Sequence, residues 1–152
     1  PIENGGRTEV FKCWEEGDEI NKEIRYWGGD TLQSIITWTE GDSIKDANSF
    51  YKNGQIEAKW IIINDVSEGD IKCWHSNGNL KREVNIRKGE FHKTLVKYSE
   101  EGDTSVVCEF KNGKKHGIEE LFYKNGAYAK LSYKADWLHG KFIDKFWDEE
   151  KG

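Results

Sequence analysis

The pentapeptide Phe50-Tyr51-Lys52-Asn53-Gly54 returns unchanged as Phe122-Tyr123-Lys124-Asn125-Gly126, 72 residues further along the chain. Seventy-two is three times 24, and steps of 24 through Phe50 land on Tyr26, Phe50, Trp74, Tyr98, Phe122 and Phe146. Six aromatics in succession are not what a chain of 13% aromatic content yields by chance. Glycines keep the same interval: Gly54, Gly78, Gly102 and Gly126 each follow the aromatic by four positions, and Gly29 and Gly5 continue the series one residue out of phase. The chain is a tandem repeat, so its fold is one unit copied along the sequence.

Each unit holds a second glycine, at Gly17, Gly41, Gly69, Gly89, Gly113 or Gly117, and Gly140, which reads as a second turn of variable length. Asn-Gly at 53–54, 77–78 and 125–126 is a strong hairpin signal, because both central residues of a type I′ turn need positive φ. Two turns and two short segments per unit make a β-hairpin, and successive units make a meander. No window sustains a 3.6-residue period, and the glycines recur too often for helices. The predicted fold is all-β: an elongated single-layer antiparallel meander of about six hairpin repeats forming one domain over 1–152. Its repeats are degenerate over 1–49 and regular over 50–147, with hairpin turns at Asn53-Gly54, Asn77-Gly78, Glu101-Gly102 and Asn125-Gly126.

Alternation divides the residues between two faces. Ile56, Ala58, Trp60 and Ile62 point one way, as do Leu32, Ile36 and Trp38, Leu80, Val84 and Ile86, and Val106, Cys108 and Phe110. Across the turns, Trp27, Tyr51, His75, Tyr123, Trp147, Ile71, Leu95 and Ile143 join this apolar face. The other face carries the aromatic ladder of period 24 beside Glu57, Lys59, Lys81, Glu83, Asn85 and Glu109. About twelve strands at roughly 4.8 Å spacing predict a twisted sheet about 55 Å long. One layer cannot bury both faces. The apolar face must curve sharply on itself, be covered by a second copy as a homodimer, or be reserved for a partner.

Composition supports strands over helices: 36% hydrophobic, 34% charged, 16 Gly, one Pro and seven Trp in 152 residues. The net charge of −5, with acids and bases interspersed, argues against a nucleic-acid groove or a polybasic membrane patch. Cys13, Cys73 and Cys108 form no C-x-x-C pair and are odd in number, which suits buried free thiols in a reducing compartment. The expected localisation is cytoplasmic, or exported if a signal sequence precedes Pro1. No apolar run reaches the ~18 residues of a membrane span.

Catalytic and metal chemistry find no support in the sequence. His116-Gly117 and His139-Gly140 recur as a repeat feature, without carboxylate or cysteine partners at ligand spacing. His75 reads as packed beside Trp74, and His92 has no motif around it. The Glu-Gly-Asp triplets at 16–18, 40–42, 68–70 and 101–103 lack the alternating acids and closing Glu of a calcium loop, and read as turns. Glu119-Glu120 and Glu149-Glu150 are adjacent pairs, and on a strand such neighbours point to opposite faces, so they cannot converge on one atom. Cys108, between Val106 and Phe110, reads as an inert buried thiol. The expectation is a non-enzyme without cofactor or metal.

The aromatic ladder carries the functional expectation. Aromatic rungs flanked by charges have the composition of protein-interface hot spots, which makes Tyr26, Phe50, Trp74, Tyr98 and Phe122 candidate partner-binding residues, with Glu57, Glu83 and Glu109 beside them. The same rungs would also stiffen a one-layer sheet through cross-strand pairs.

Lys111 to Gly126, KNGKKHGIEELFYKNG, makes the resemblance specific, together with FYKNGQIEAKW (50–60), EGDIKCWHSNGNLKREV (68–84) and WLHGKFIDKFW (137–147). These segments resemble the MORN-type repeat in the variant form of bacterial YwqK-like antitoxin proteins. The resemblance implies an extended sheet of hairpins, no catalytic residues, and a role as an interaction or membrane-associating platform. The YwqK-like group further implies toxin–antitoxin or toxin-immunity function, with a toxin domain as partner. MORN repeats also occur in certain plant lipid kinases, but this chain has no Gly-rich phosphate loop, strand Lys with helical Glu, or HRD-type loop. Lys81, Lys114, Lys115, Lys130 and Lys134 alternate with acids, which ranks a membrane-associated scaffold below protein binding. An exported cell-surface repeat protein ranks third.

Overall fold

A computed structural model describes residues 6–140 and 142–145. Phe146 and Trp147, expected to close the ladder and the apolar face, lie outside the described residues, as do Glu149-Glu150. The described residues contain strands and turns and no helix.

The strands are β1 (Thr8–Glu15), β2 (Asp18–Tyr26), β3 (Leu32–Thr39), β4 (Ile44–Phe50), β5 (Ile56–Ile63), β6 (Val66–Trp74), β7 (Leu80–Arg87), β8 (Glu90–Tyr98), β9 (Thr104–Lys111), β10 (Lys114–Phe122), β11 (Tyr128–Lys134), β12 (Trp137–Leu138) and β13 (Ile143–Lys145). They form one antiparallel sheet in sequence order, an open meander as the repeat demands. β12 and β13 both pair with β11, at Tyr133–Lys134 and Tyr128–Lys130, as two halves of a broken final strand. The more degenerate β1–β4 pair in the same way as the regular repeats.

Turn chemistry differs between the two rims, and not as the Asn-Gly pairs suggested. In Tyr51-Lys52-Asn53-Gly54 the Gly54 N–H donates to the Tyr51 carbonyl at 2.9 Å, and the Tyr51 N–H to the Gln55 carbonyl at 2.9 Å. Gly54 is at φ 84°, whereas Asn53 is not in the left-handed region. This is a type I turn closed by a left-handed glycine, and it recurs at Gly78, Gly102 and Gly126. The expected type I′ assignment at 53–54, 77–78 and 125–126 is therefore corrected. Type I′ geometry belongs to the opposite rim, where Glu16-Gly17, Asn64-Asp65, Lys88-Gly89, Asn112-Gly113 and Ala135-Asp136 all have two positive φ values.

The asparagines are kept for their side chains. Asn53 Oδ1 accepts the Gln55 N–H at 3.1 Å, and its Nδ2 donates to the Ser76 carbonyl of the next turn at 3.0 Å. Asn77 repeats both contacts, with the Asn79 N–H at 2.9 Å and the Glu100 carbonyl at 2.9 Å. The residue after each of the first three rungs forms a parallel chain of links: Trp27 Nε1 to Phe50 O at 3.3 Å, Tyr51 Oη to Trp74 O at 2.8 Å, and His75 Nε2 to Tyr98 O at 3.1 Å. In the first FYKNG copy the second and fourth side chains thus tie the hairpin to its successor. His75 is a structural link, in keeping with its packed reading.

Two sets of bulges interrupt the alternation. Pairing slips by one residue between Ser49↔Ala58 and Phe50↔Ile56, and equally at Trp74↔Leu80, Tyr98↔Thr104 and Tyr26↔Leu32. The extra residue is the one after the strand's first member, such as Glu57. A bulge places two residues opposite one and reverses the facing before it. Leu32, Ile56 and Leu80 therefore stand beside the rungs, not on the apolar face as straight alternation predicted. The second set lies inside even-numbered strands at Gly69, Lys93 and Gly117, with φ of 81°, 59° and 87°. Gly69, with its Glu-Gly-Asp triplet, and Gly117 are thus bulges within β6 and β10 rather than turns, whereas 16–18, 40–42 and 101–103 are turns.

The core occupies one face. The register aligns Ile71, Val84, Leu95, Cys108, Glu119 and Leu131 in one row. Val84, Ile86 and Leu95 are 3–4% exposed and pack with Ile71, Phe91 and Phe110. Every fully buried strand residue among those described lies on this face. No second layer among the described residues covers it, so the sheet curls and lets side chains of neighbouring strands cover one another; each such buried aliphatic contributes about 1.5–3 kcal/mol. The cysteines are free, with Cys73 and Cys108 buried and Cys13 partly exposed. Glu119 is buried in the same row, its carboxylate held by Lys115 Nζ at 2.6 Å.

Candidate binding surface

The convex face is defined by what it lacks: no described strand residue on it is fully buried. Along the Asn-Gly rim run the five rungs, Tyr26, Phe50, Trp74, Tyr98 and Phe122, one at the end of each even-numbered strand from β2 to β10. Phe122 is 39% exposed and the other four are half-buried. Each rung stands opposite the first residue of the following strand: Leu32, Ile56, Leu80, Thr104 and Tyr128. The Phe122 and Tyr128 rings meet at 5.4 Å between centroids. The Arg7 guanidinium lies 3.8 Å over the Tyr26 ring, covering the first rung. Sequence periodicity found the rungs and missed their apolar neighbours, because only the bulge turns Leu32, Ile56 and Leu80 to this side.

The three glutamates do not form one set. Glu83 is on the ladder face, receiving the Tyr98 hydroxyl at 3.2 Å and Lys72 Nζ at 3.0 Å. Burial, then Glu83, holds the Tyr98 phenol above its ordinary pKa, so the rung is a neutral hydrogen-bond donor. Glu109 is also on this face, but its Oε2 accepts the Ile118 N–H at 3.1 Å, filling the space beside Gly117. Glu57 departs from expectation. Its carboxylate accepts the Ser49 hydroxyl at 3.3 Å and shares a hollow with Ala58 and Cys73, so the bulge has moved it, and Lys81 with it, to the concave face. None of the three presents an uncommitted carboxylate on the ladder face.

Inward of the rungs, two shallow depressions of about 380 and 400 Å³ lie along the convex face. Asn48, Lys59, Lys72 and Trp74 line the first, and Lys72, Glu83, Asn85 and Val96 the second. Their charges alternate: Asp46, Lys59, Asp70, Lys72, Glu83. Such a surface can offer apolar anchors framed by hydrogen-bonding groups. No group of three or more potential metal ligands occurs among the described residues. His116 lies at the Gly117 bulge in β10, whereas the His139 N–H donates to the Ser132 carbonyl beyond β12, so the two are not equivalent positions. No described helix is long and apolar enough to cross a membrane.

Residues 67–88 match the MORN repeat variant family. That stretch is the β6–β7 hairpin with rung Trp74, link residue His75 and the Asn77-Gly78 turn, so the family's unit is the hairpin closed at the Asn-Gly rim. The chain carries MORN-type repeats in a repeat scaffold. No curated protein matches the chain.

Proposed function

We propose that this protein is a non-catalytic binding scaffold of the immunity type, which neutralises a toxin domain by lying across its surface. The observation that carries the binding half is the row of rungs with Leu32, Ile56 and Leu80 beside it, on the face of a one-layer sheet where no described strand residue is fully buried. Rigid half-exposed aromatics offer contact area at low entropic cost, and such residues dominate interface energetics. The toxin half rests on the likeness of the repeats to YwqK-like antitoxins. The internal commitments of Glu83 and Glu109 make apolar contact with the rungs, rather than pairing with a basic partner, the main source of affinity.

The test is affinity capture from the source cells with the intact protein and with Trp74→Ala, followed by co-expression of the captured protein. A captured protein that arrests growth alone, is silenced by co-expression, and binds Trp74→Ala at least tenfold more weakly supports the reading. A partner that binds a normally melting Trp74→Ala protein at full strength removes the ladder as the surface. A partner with no growth effect removes the immunity role.

A further inference from the structure

The concave face holds a charged site that the repeat does not require. Next to the core, the register builds a row one position nearer the Asn-Gly rim: Ser49↔Ala58, Ala58↔Cys73, Cys73↔Arg82, Arg82↔Lys97, Lys97↔Val106 and Leu121↔Val106. Before the interruption its members are small, and after it they are aliphatic, as a face curling inward demands. At two adjacent positions it carries Arg82 and Lys97, directly opposite each other. Like charges in a cross-strand pair are destabilising, and neither side chain forms an ion pair with any carboxylate of the described residues.

A hollow lies beside this pair, with Arg82 half-buried against it and Lys97 exposed at its edge. The small side chains of Ala58 and Cys73 leave a cavity of about 350 Å³ walled by Tyr51, Lys81, Arg82 and Lys97. Arg82 is half-buried; its Nη2 donates only to the Cys73 sulfur, at 3.3 Å, and its buried Nε has no partner. The rest of the guanidinium has no carboxylate partner among the described residues, so an incoming oxygen would gain charge-assisted hydrogen bonds there. Glu57 stands on the wall, held by Ser49, beyond ion-pair distance from the three cations.

We propose that this hollow is a receptor for a carboxylate side chain of a protein partner, with Arg82 and Lys97 as the paired cations and Lys81 at the mouth. The carboxylate would occupy the unpaired guanidinium edge while its methylenes lie on Ala58, Cys73 and the Tyr51 ring. A phosphate suits the site less well: the strand N–H groups around it are taken by the sheet ladder, and the carboxylate of Glu57 repels a dianion more than a monoanion. The site lies on the face opposite the aromatic ladder and does not depend on the ladder binding anything. The protein's net charge of −5 also disfavours unspecific attraction of an acidic peptide, so binding would report a local site.

The experiment titrates the full chain with acetylated hexaglutamate by calorimetry at low ionic strength, with hexaglutamine and inorganic phosphate as parallel probes. Saturable binding of hexaglutamate and none of hexaglutamine is expected, with affinity falling at least tenfold in Arg82→Gln/Lys97→Gln. Thermal melts of the same proteins supply an independent arm: relief of like-charge repulsion predicts a double variant that melts at or above the parent. Unchanged peptide affinity in the double variant, no saturable binding, or phosphate binding tighter than the peptide would each overturn the proposal. So would a double variant that melts clearly below the parent, since the pair would then be structural.

Discussion

Gly117→Ala isolates the strand bulge on which the second half of the sheet depends. The three equivalent bulge residues differ in what a side chain meets there. Gly69 has open space where a Cβ would stand, Lys93 already carries a side chain at φ 59°, and a Cβ on Gly117 would overlap Glu109 Oε2, with Glu109 Cδ at 2.9 Å. Placing an L-residue in the left-handed region costs about 1–2 kcal/mol, which is the whole expected effect of Gly69→Ala. At Gly117 the methyl also expels the Glu109 carboxylate from the Ile118 N–H, and a hydrogen bond to a charged group is worth about 1.5–3 kcal/mol. Gly117→Ala should therefore destabilise by about 2.5–5 kcal/mol in urea melts. Removing the obstacle separates the two contributions: in a Glu109→Ala background the added cost of Gly117→Ala should drop to about 1–2 kcal/mol. Lys93→Gly should change stability by less than about 1 kcal/mol, because relief of backbone strain is offset by the chain entropy of glycine. If Gly117→Ala costs no more than Gly69→Ala, or if its cost is the same with and without Glu109, the carboxylate does not seat the bulge.

Three further outcomes follow from the rims and the core. Asn77→Ala loses both the Asn79 N–H contact and the link to Glu100, and should cost about 1–3 kcal/mol in a urea melt; Asn77→Asp, which keeps the acceptor, should cost about half as much, and an Asp variant as stable as the parent would mean that the donor to the next turn contributes nothing. Gly78→Val puts a β-branched residue at φ 90° in an interior turn and should destabilise by about 1–3 kcal/mol, whereas an unchanged melt would refute the left-handed closure of the turn. Burial, reinforced by the nearby Glu119, pushes the Cys108 thiol up to about 11, so at pH 8 a thiol reagent should modify the more exposed Cys13 while Cys108 reacts only on unfolding. Native-state labelling of Cys108 at the rate of Cys13 would show that the core row is open.

The repeat period, the strand content and the positions of the Asn-Gly turns were legible in the sequence, because each depends on local chemistry that recurs every 24 residues. A left-handed glycine and an aromatic at the strand end mark themselves wherever they stand. The apolar row of Ile71, Val84, Leu95 and Cys108 was legible too, since alternation holds within a strand. What sequence could not decide was the facing of residues beyond a bulge. One inserted residue leaves composition and period untouched, yet it exchanges Ile56 for Glu57 and Leu80 for Lys81 between the two sides of the sheet. The turn type was hidden for a related reason: Asn-Gly suits both hairpin geometries, and the choice is made by the register, which pairs the Tyr51 N–H with the Gln55 carbonyl and leaves three residues between them. Nor could composition tell that Glu83 and Glu109 are committed inside the fold while Arg82 and Lys97 face each other unpaired, since ion pairing is settled by which strands become neighbours and in what register. Local backbone preference and periodicity are properties of the chain; facing, pairing and exposure arise only when the hairpins are laid side by side and the sheet curls over one of its faces.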